Sequence, residues 1–184
     1  MEMKDKIRIG VSACLLGQKV RFDGSHKHDR YLTDTLNKYL DLVPVCPEVE
    51  AGFPIPRETF RLIGDPQNPR LVTSNSNVDH TDLMLNWAKK RVLELEKENL
   101  CGFIFKSNSP SSGLMRVKVY NLNGASEKNG VGLFARTFIQ HFPLLPVEEE
   151  WRLNDPELRE AFIEQIFTLN QWREMLAQGQ RKPT

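Results

Sequence analysis

The spacing of hydrophobic residues along the chain predicts strands that alternate with helices. Apolar residues at every second position, or in short unbroken runs, predict strands over residues 6–13, 41–46, 101–107 and 115–120. Apolar residues three or four positions apart predict helices over residues 31–40, 80–98 and 131–142. This alternation predicts an α/β fold with a mainly parallel sheet, flanked by helices in Rossmann-like layers.

Two stretches between these elements are predicted to be loops. Residues 51–70 contain two glycines and four prolines, and residues 121–130 are mostly polar or glycine. A loop as long as the first is uncommon inside a compact domain and is usually functional.

The C-terminal part of the chain predicts a long amphipathic helix over residues 154–178. Asn154 is followed three residues later by Glu157, which gives a start similar to a capping box. The wide apolar stripe of this helix must be buried, either on this domain's own sheet or against a partner or a further domain. We therefore divide the chain into a domain over residues 1–150 and a C-terminal helix or linker segment over residues 151–184.

The composition is that of an ordinary globular protein. Its main use is to exclude some classes of function. The chain has 25 Lys and Arg against 24 Asp and Glu, which excludes a polycation that binds nucleic acid by bulk charge alone. No window approaches the roughly 20 apolar residues of a membrane span, and the N-terminus lacks the features of a signal peptide. We therefore expect a cytoplasmic protein with no membrane partner.

Charge is unevenly spread along the sequence. Residues 1–30 hold seven Lys and Arg against four Asp and Glu, and residues 106–128 hold four against one. This asymmetry favours an anionic or electron-rich ligand near these regions, unless it reflects only a solvated surface.

Three of the predicted strands run into turns that carry chemically useful side chains. The first strand is followed by Cys14, the second by Cys46 and Glu48, and the third by the serine-rich turn 107–113. Because the carboxyl ends of parallel strands meet at one edge of a sheet, we expect these turns to gather in a single pocket.

The cysteines and the nearby carboxylate suggest metal or redox chemistry. The chain has three cysteines, Cys14, Cys46 and Cys101, and this small odd number argues against a disulfide framework. A thiolate just after a strand can be stabilised for metal binding, although buried structural thiols remain the alternative. Glu48 can act as a general base on water if Cys46 faces a metal, or it can be an ordinary surface carboxylate.

Other polar groups leave more than one chemistry open. The hydroxyl-rich turn 106–113 can present donors to an anion or to a base edge, or can be an ordinary solvated turn. His26 and His28 are alternate residues that could bind zinc, so a zinc hydrolase using Cys14, Cys46 and a histidine is a further hypothesis. No G-x-S-x-G, P-loop or G-x-G-x-x-G motif is present.

Taken together, five ordered motifs resemble one known family. They are S-A-C-L-L-G at 12–17, V-R-F-D-G at 20–24, C-P-E-V-E-A-G at 46–52, P-R-E-T at 56–59 and K-S-N-S-P-S-S-G at 106–113. Over roughly residues 6–142, the chain is similar to the TudS-like thiouracil desulfidase family. The tail at 153–164 resembles the linker of RudS-like proteins, which carry a second domain and remove sulfur from 4-thiouridine in transfer RNA.

The resemblance implies a [4Fe-4S] cluster held by three cysteines, with one iron open to the sulfur of a thiolated pyrimidine. Water would replace the sulfur, which would leave as hydrosulfide. The implied partners are a thiolated pyrimidine base or nucleoside, or transfer RNA that contains one. By the family's motifs, the cluster ligands fall on Cys14, Cys46 and position 112, and the catalytic residues on Glu48 and Ser109. The implied substrate-binding residues are Ser12, Asp23, Arg57, Lys106 and Ser111.

The chain departs from the family pattern at the third ligand, where Ser112 replaces a cysteine. An alkoxide is a harder and more basic ligand than a thiolate, so we expect weakened cluster binding. Cys101 begins the strand whose far end carries the turn, so it is a poor substitute. The alternative function is a non-catalytic module that binds thiolated bases or transfer RNA. Its phosphate contacts would come from Lys19, Arg21, Lys27, Arg30 and Lys106.

Overall fold

The structure is a computed structural model that describes residues 5–179. Within that range the strands are β1 (Ile7–Ser12), β2 (Leu40–Val45), β3 (Phe60–Ile63), β4 (Arg70–Thr73), β5 (Phe103–Phe105), β6 (Val117–Tyr120), β7 (Ser126–Gly130) and β8 (Val147–Glu149). The α-helices in the same range are α1 (Pro47–Glu50), α2 (Thr81–Glu96), α3 (Leu133–His141) and α4 (Pro156–Gly179).

The strands form two four-stranded sheets. Sheet A has the order β2-β1-β5-β8 and all its pairs are parallel. Sheet B has the order β4-β3-β6-β7, with β3 and β6 parallel and both outer pairs antiparallel. The predicted α/β fold with a mainly parallel sheet is therefore confirmed, and sheet A is that sheet.

Helices cover both faces of sheet A because its side chains alternate between the faces. Phe103 and Phe105 point toward α2 and α3, where they pack with Phe134 and Phe138. Ile104 points the other way, into a cluster that includes residues of β1 and α4. Sheet A is thus buried between two hydrophobic clusters, one on each of its faces.

Helix α4 confirms the predicted C-terminal helix and buries its first half on this domain's own sheet. Phe162 and Ile166 are buried in the same cluster as β1, whereas Trp172 and Met175 are exposed. Its cap differs from the prediction. The Asp155 carboxylate accepts the backbone N–H groups of Glu157 and Leu158, so Asp155 and not Asn154 caps the helix.

The predicted division at residue 150 stays a prediction. Leu153 packs with α4 in the cluster that contains β1, and Trp151 hydrogen-bonds to Glu149, so contacts cross the boundary. The last residues of the predicted segment, 180–184, lie outside the described residues.

Both predicted loops contain strands, so those predictions were wrong in part. Residues 51–70 include β3 and reach the start of β4, which pair through a turn at Gly64, where φ is 89°. Residues 121–130 include β7, whose sequence is Ser-Glu-Lys-Asn-Gly. Strands of four or five residues with polar or turn-forming neighbours give too short a pattern to recognise.

Two other elements also differ from the sequence prediction. Residues 31–40 were predicted as a helix, but they form only a π-type turn over Tyr31–Thr35 and a 3₁₀ turn over Leu36–Lys38. Leu40 already belongs to β2, because it is paired with Ile7 of β1. The strand predicted at 115–120 exists as β6, but it lies in sheet B. No helix among residues 5–179 is long and apolar enough to cross a membrane.

Candidate active site at the carboxyl edge of sheet A

A cavity of about 480 Å³ lies where β1, β2 and β5 end. Its lining contains residues from all three of the predicted turns, so the prediction that these turns gather in one pocket is confirmed. Nine of the ten predicted site residues line it: Ser12, Cys14, Cys46, Glu48, Arg57, Lys106, Ser109, Ser111 and Ser112.

The parallel register of β1 and β2 brings the two cysteines to this cavity. Ser12 pairs with Val45 at the end of both strands, and each cysteine follows within two residues. After Ser12 the chain makes a single 3₁₀ turn that ends at Gly17, where φ is 85°. Cys46 immediately precedes α1, whose first residue is Pro47. Both thiols are free and no disulfide joins them.

Burial keeps both thiols protonated at neutral pH. It raises the pKa of Cys14 to about 11, although the positive charge of Lys106 opposes the shift. Burial also raises the pKa of Cys46 above its usual 9.0, against a backbone hydrogen bond that lowers it. A metal that bound here as a thiolate complex would therefore have to displace protons from both sulfurs.

The serine-rich turn is held rigidly by its own hydroxyl and by α3. Ser109 Oγ accepts the backbone N–H groups of Ser111 and Ser112, at 3.3 and 3.1 Å. The backbone N–H groups of Phe134 and Ala135, in the first turn of α3, bond to the carbonyl oxygen of Ser111. The turn therefore presents its hydroxyls to the cavity from a fixed backbone.

Glu48 is held from both sides of its carboxylate. Arg57 Nη2 and Nε donate to Glu48 Oε2 at 2.5 and 3.0 Å. The Arg57 side chain is only 5% exposed, and its Nη2 also donates to the Val20 carbonyl at 2.8 Å. On the other side, Ser111 Oγ donates to Glu48 Oε1 at 3.0 Å. The ion pair and its two further contacts therefore link four of the five sequence motifs.

Three polar residues form a directed chain of hydrogen bonds across the cavity wall. Ser111 gives its hydroxyl hydrogen to Glu48, because an ionised carboxylate can only accept. Ser109 Oγ lies 3.0 Å from Ser111 Oγ and must then be the donor of that bond. The chain runs from Ser109 through Ser111 to Glu48, and it can carry a proton between the two ends.

Lys106 and Ser12 are engaged by neighbouring parts of the fold. Lys106 Nζ lies 2.6 Å from Glu150 Oε1, so its charge is paired. Ser12 Oγ accepts the backbone N–H of Lys106 at 2.9 Å, which ties the end of β1 to the end of β5.

Other sequence candidates lie away from the cavity lining. Asp23 is not among the lining residues, and its carboxylate accepts hydrogen bonds from Ser25. His28 bonds to Thr33, and no histidine lines the cavity. Among residues 5–179 there is no group of three or more His, Cys, Asp or Glu side chains that could hold a metal ion. The zinc hydrolase hypothesis therefore lacks its histidine ligand.

Cys101 is remote from the pocket, as its position at the start of β5 predicted. It is buried against α4, where Arg173 Nη1 lies 3.6 Å from its sulfur. The structure thus brings together two of the three thiols.

Glu149 and Glu150 were missed by the sequence reasoning, although they hold the serine-rich turn in place. Glu150 accepts the backbone N–H and the hydroxyl of Ser107. Buried Glu149 accepts the backbone N–H of Leu114 at 2.9 Å. A run of three glutamates after a short apolar stretch was the available signal, since buried carboxylates need donors.

Comparison with known proteins decides the family. The sequence model of the 2-thiouracil desulfurase family matches residues 9–150. The chain belongs to the 2-thiouracil desulfurase family. The resemblance drawn from the five motifs is thereby confirmed, and the link to RudS-like proteins stays a prediction.

Two similar proteins support the assignment to the 2-thiouracil desulfurase family. The uncharacterized protein YbbK of Bacillus subtilis (strain 168) is 33% identical over 111 residues, which cover 56% of this chain and 71% of YbbK. A solved structure of the [4Fe-4S]-dependent thiouracil desulfidase TudS is 32% identical, with a TM-score of 0.65. That match covers 86% of this chain and 97% of the TudS chain. Family and structural neighbour together support a desulfidase.

The donors in the cavity fit a sulfur-liganded cluster in part. Cys14 and Cys46 supply two soft thiol ligands in the lining of a cavity of about 480 Å³. The third position is the buried Ser112, which lines the same cavity but offers a hydroxyl. The site therefore has the place for a third ligand and lacks the thiol there.

Proposed function

We propose that this protein removes sulfur from a thiolated pyrimidine, either thiouracil or 4-thiouridine, and releases it as hydrosulfide. The observation that carries the proposal is the cavity that holds Cys14 and Cys46 together with the chain from Ser109 through Ser111 to Glu48. Transfer RNA is the larger substrate that the tail's resemblance to RudS-like proteins favours.

A [4Fe-4S] cluster is the cofactor that the family resemblance implies for this cavity. Cys14 and Cys46 would hold it, and Ser112 would occupy the third ligand position. When bound with one open iron, such a cluster supplies a soft Lewis acid for the thiocarbonyl sulfur. Because Ser112 is the harder ligand, we expect the chain to hold the cluster weakly.

Glu48 and Ser109 would move the protons of the reaction. Overall, the thiocarbonyl compound and water give the carbonyl compound, hydrosulfide and one proton. The water oxygen forms a bond to the ring carbon, the carbon–sulfur bond breaks, and Glu48 takes the proton from water. Protonated Glu48 can itself donate, so once the Ser111 and Ser109 hydroxyls reverse their hydrogen bonds the proton can pass through Ser111 to Ser109, which would donate it to the pyrimidine and orient the ring.

Arg57 would serve as a positioning residue and not as a direct contact to the substrate. Its guanidinium is almost fully buried and is committed to Glu48 and to two backbone carbonyls. It would therefore fix the rotamer of Glu48, so that Oε2 faces Arg57 and Oε1 faces Ser111. Of the other proposed substrate contacts, Ser12, Lys106 and Ser111 line the cavity, whereas Asp23 does not.

The test is anaerobic reconstitution of this chain and of Ser112→Cys with iron and sulfide. We expect Ser112→Cys to bind more iron, to show cluster absorbance, and to release hydrosulfide faster from 2-thiouracil or 4-thiouridine. Cys101→Ser is the matched control, because Cys101 is remote from the cavity, and it should leave the iron content unchanged. If Ser112→Cys binds no iron and releases no hydrosulfide, the proposal is wrong.

Ser112 favours a second candidate function, a non-catalytic module that binds thiolated bases or transfer RNA. Fluorescence anisotropy with thiolated and unmodified transfer RNA separates the two candidates. Binding that prefers the thiolated form without any turnover, and that Ser112→Cys leaves unchanged, would favour the module.

A further inference from the structure

A second groove, of about 590 Å³, is continuous with the candidate active site. It lies on the solvent face of sheet B. The groove and the cavity share four lining residues, Thr59, Phe60, Asn108 and Pro110. Asn108 and Pro110 flank Ser109, so the groove begins beside the turn that would hold the substrate.

Three cations lie across this face on three adjacent strands. Lys118 of β6 and Lys128 of β7 are directly opposite each other in the antiparallel register. Arg61 of β3 precedes Leu62, and Leu62 pairs with Val119, the residue after Lys118. Because side chains alternate along a strand, all three cations face away from the core that contains Leu62 and Val119.

The charges of the two lysines are not balanced by nearby acids. No Asp or Glu lines the groove, and neither lysine forms an ion pair within residues 5–179. Glu127 is the register partner of Val119, so it lies on the other face of the sheet, where its carboxylate bonds to Asn129. Like charges directly opposite each other in a sheet are destabilising, so the pair has a cost that an anionic ligand would remove.

The third cation brings a planar group and an aromatic ring to the same groove. The Arg61 guanidinium lies 5.4 Å from the ring centre of Tyr120, and its Nη2 bonds to the neutral side chain of Asn77. Arg61 therefore also keeps its positive charge unneutralised by these contacts. A guanidinium with two lysines suits the several oxygens of phosphate groups.

We propose that this groove is a phosphate-binding subsite for a nucleotide whose thiolated base occupies the cavity. The inference rests on the proposed function for the position of the base, and on the groove's own charges for the phosphate. The phosphate can belong to the same nucleotide or to the neighbouring nucleotides of an RNA strand. Tyr120 gives the groove aromatic surface for a flanking base.

The experiment compares a double variant, Lys118→Gln with Lys128→Gln, with a control that has the same change of charge. The control is Lys89→Gln with Lys90→Gln, because both lysines are exposed on α2 and neither lines the groove or the cavity. The probes are 4-thiouridine, its 5′-monophosphate, and a labelled RNA of about ten nucleotides with one 4-thiouridine.

We expect the groove variant to bind RNA at least tenfold more weakly than the parent and the control. The slope of log K against log salt should fall in magnitude by about 1.4, since each phosphate contact to a single strand contributes about 0.7. Binding of 4-thiouridine should not change. Weaker binding of the monophosphate assigns the contact to the substrate's own phosphate, and weaker binding of RNA alone assigns it to neighbouring phosphates. Both results support the subsite.

Parental affinity and salt slope in the groove variant would overturn the inference, and so would an equal loss in the control. The melting temperature of the groove variant should equal or exceed that of the parent, because two like charges are removed, so unfolding cannot account for the loss. Hydrosulfide release is measured separately in the Ser112→Cys background. If RNA binding depends on Lys118 and Lys128 but no sulfur is released, the groove stands and the desulfidase proposal fails.

Discussion

Arg57 and Glu48 form an ion pair in the wall of the cavity, with Arg57 Nη2 2.5 Å from Glu48 Oε2. The arginine side chain is 5% exposed and the glutamate side chain 17%, so the pair is largely removed from water. Breaking a buried pair leaves one charge uncompensated, which costs far more than breaking a surface pair. The position of the proposed general base therefore depends on a residue nine positions further along the chain.

Replacing Arg57 with alanine should lower the free energy of unfolding by about 3 kcal/mol, because Glu48 would keep a partly buried charge without its partner. Urea denaturation measures this loss. Arg91→Ala is the control, because Arg91 pairs with Glu50 and Glu94 at a more exposed site. There we expect a loss of about 1 kcal/mol or less. Equal losses in the two variants would contradict the special role of the buried pair.

Ser111→Ala should slow hydrosulfide release without lowering the iron content of the protein. The substitution removes the hydroxyl that connects Ser109 with Glu48, and we expect hydrosulfide release in the Ser112→Cys background to fall by about 10²-fold or more. Ser111→Thr, which keeps a hydroxyl, should recover part of the rate. Iron content should stay at the level of the Ser112→Cys parent. A rate in Ser111→Ala equal to that of the parent would exclude the proton chain.

The site could be predicted from the sequence because the carboxyl ends of parallel strands meet at one edge of a sheet, and this rule needs only the positions of the strand ends. Cys14, Cys46 and Ser109 follow strands that proved to be parallel neighbours, so their convergence did not require any knowledge of side-chain packing. Sheet B could not be predicted in the same way. Strand β7 is an outer strand with four exposed residues, and such a strand has no apolar pattern.

Side-chain contacts between distant parts of the chain were also beyond the sequence. Lys106 belongs to a family motif, so the resemblance implied that it contacts the substrate, and this stays a prediction. In the structure its charge is paired with Glu150, which is 44 residues away. Asp23 belongs to a family motif, yet a local bond to Ser25 holds it outside the cavity lining. Both outcomes are decided by the partners that folding brings near, and motif spacing does not encode them.

Asp79 should make stability depend on pH in the acid range. Burial raises the pKa of its carboxyl, but hydrogen bonds from Arg70 and Thr81 outweigh that effect and lower the pKa from 3.8 to about 2. A pKa that is lowered by folding stabilises the protein above pH 3.8, and this contribution is lost as the pH falls toward 2. The side chain is 41% exposed, so we expect only about 1 kcal/mol at neutral pH.

The measurement is chemical denaturation of the parent and of Asp79→Asn between pH 2 and pH 6. The difference in the free energy of unfolding should be about 1 kcal/mol at pH 6 and should vanish near pH 2. Asp82→Asn is the control, because Asp82 is 84% exposed and lies 3.8 Å from Arg70. A difference for Asp79→Asn that stays constant over the whole range would contradict the assigned pKa.

Gly132 should be intolerant of even one added methyl group, because it packs against the serine-rich turn. A Cβ atom at this position would lie 2.5 Å from the carbonyl carbon of Ser111 and 2.7 Å from the backbone nitrogen of Ser112. Both contacts are to backbone, which cannot rotate away as a side chain can, so the turn or the start of α3 must move.

Overpacking of this kind costs about 1–3 kcal/mol. We expect Gly132→Ala to lose that much stability in urea denaturation. In the Ser112→Cys background it should also bind less iron, since the moved turn carries the third ligand position. Gly179→Ala is the matched control, because a Cβ there would meet no atom within 4 Å, and it should change neither quantity. Normal iron binding by Gly132→Ala would mean that the turn's position is not set by its contact with Gly132.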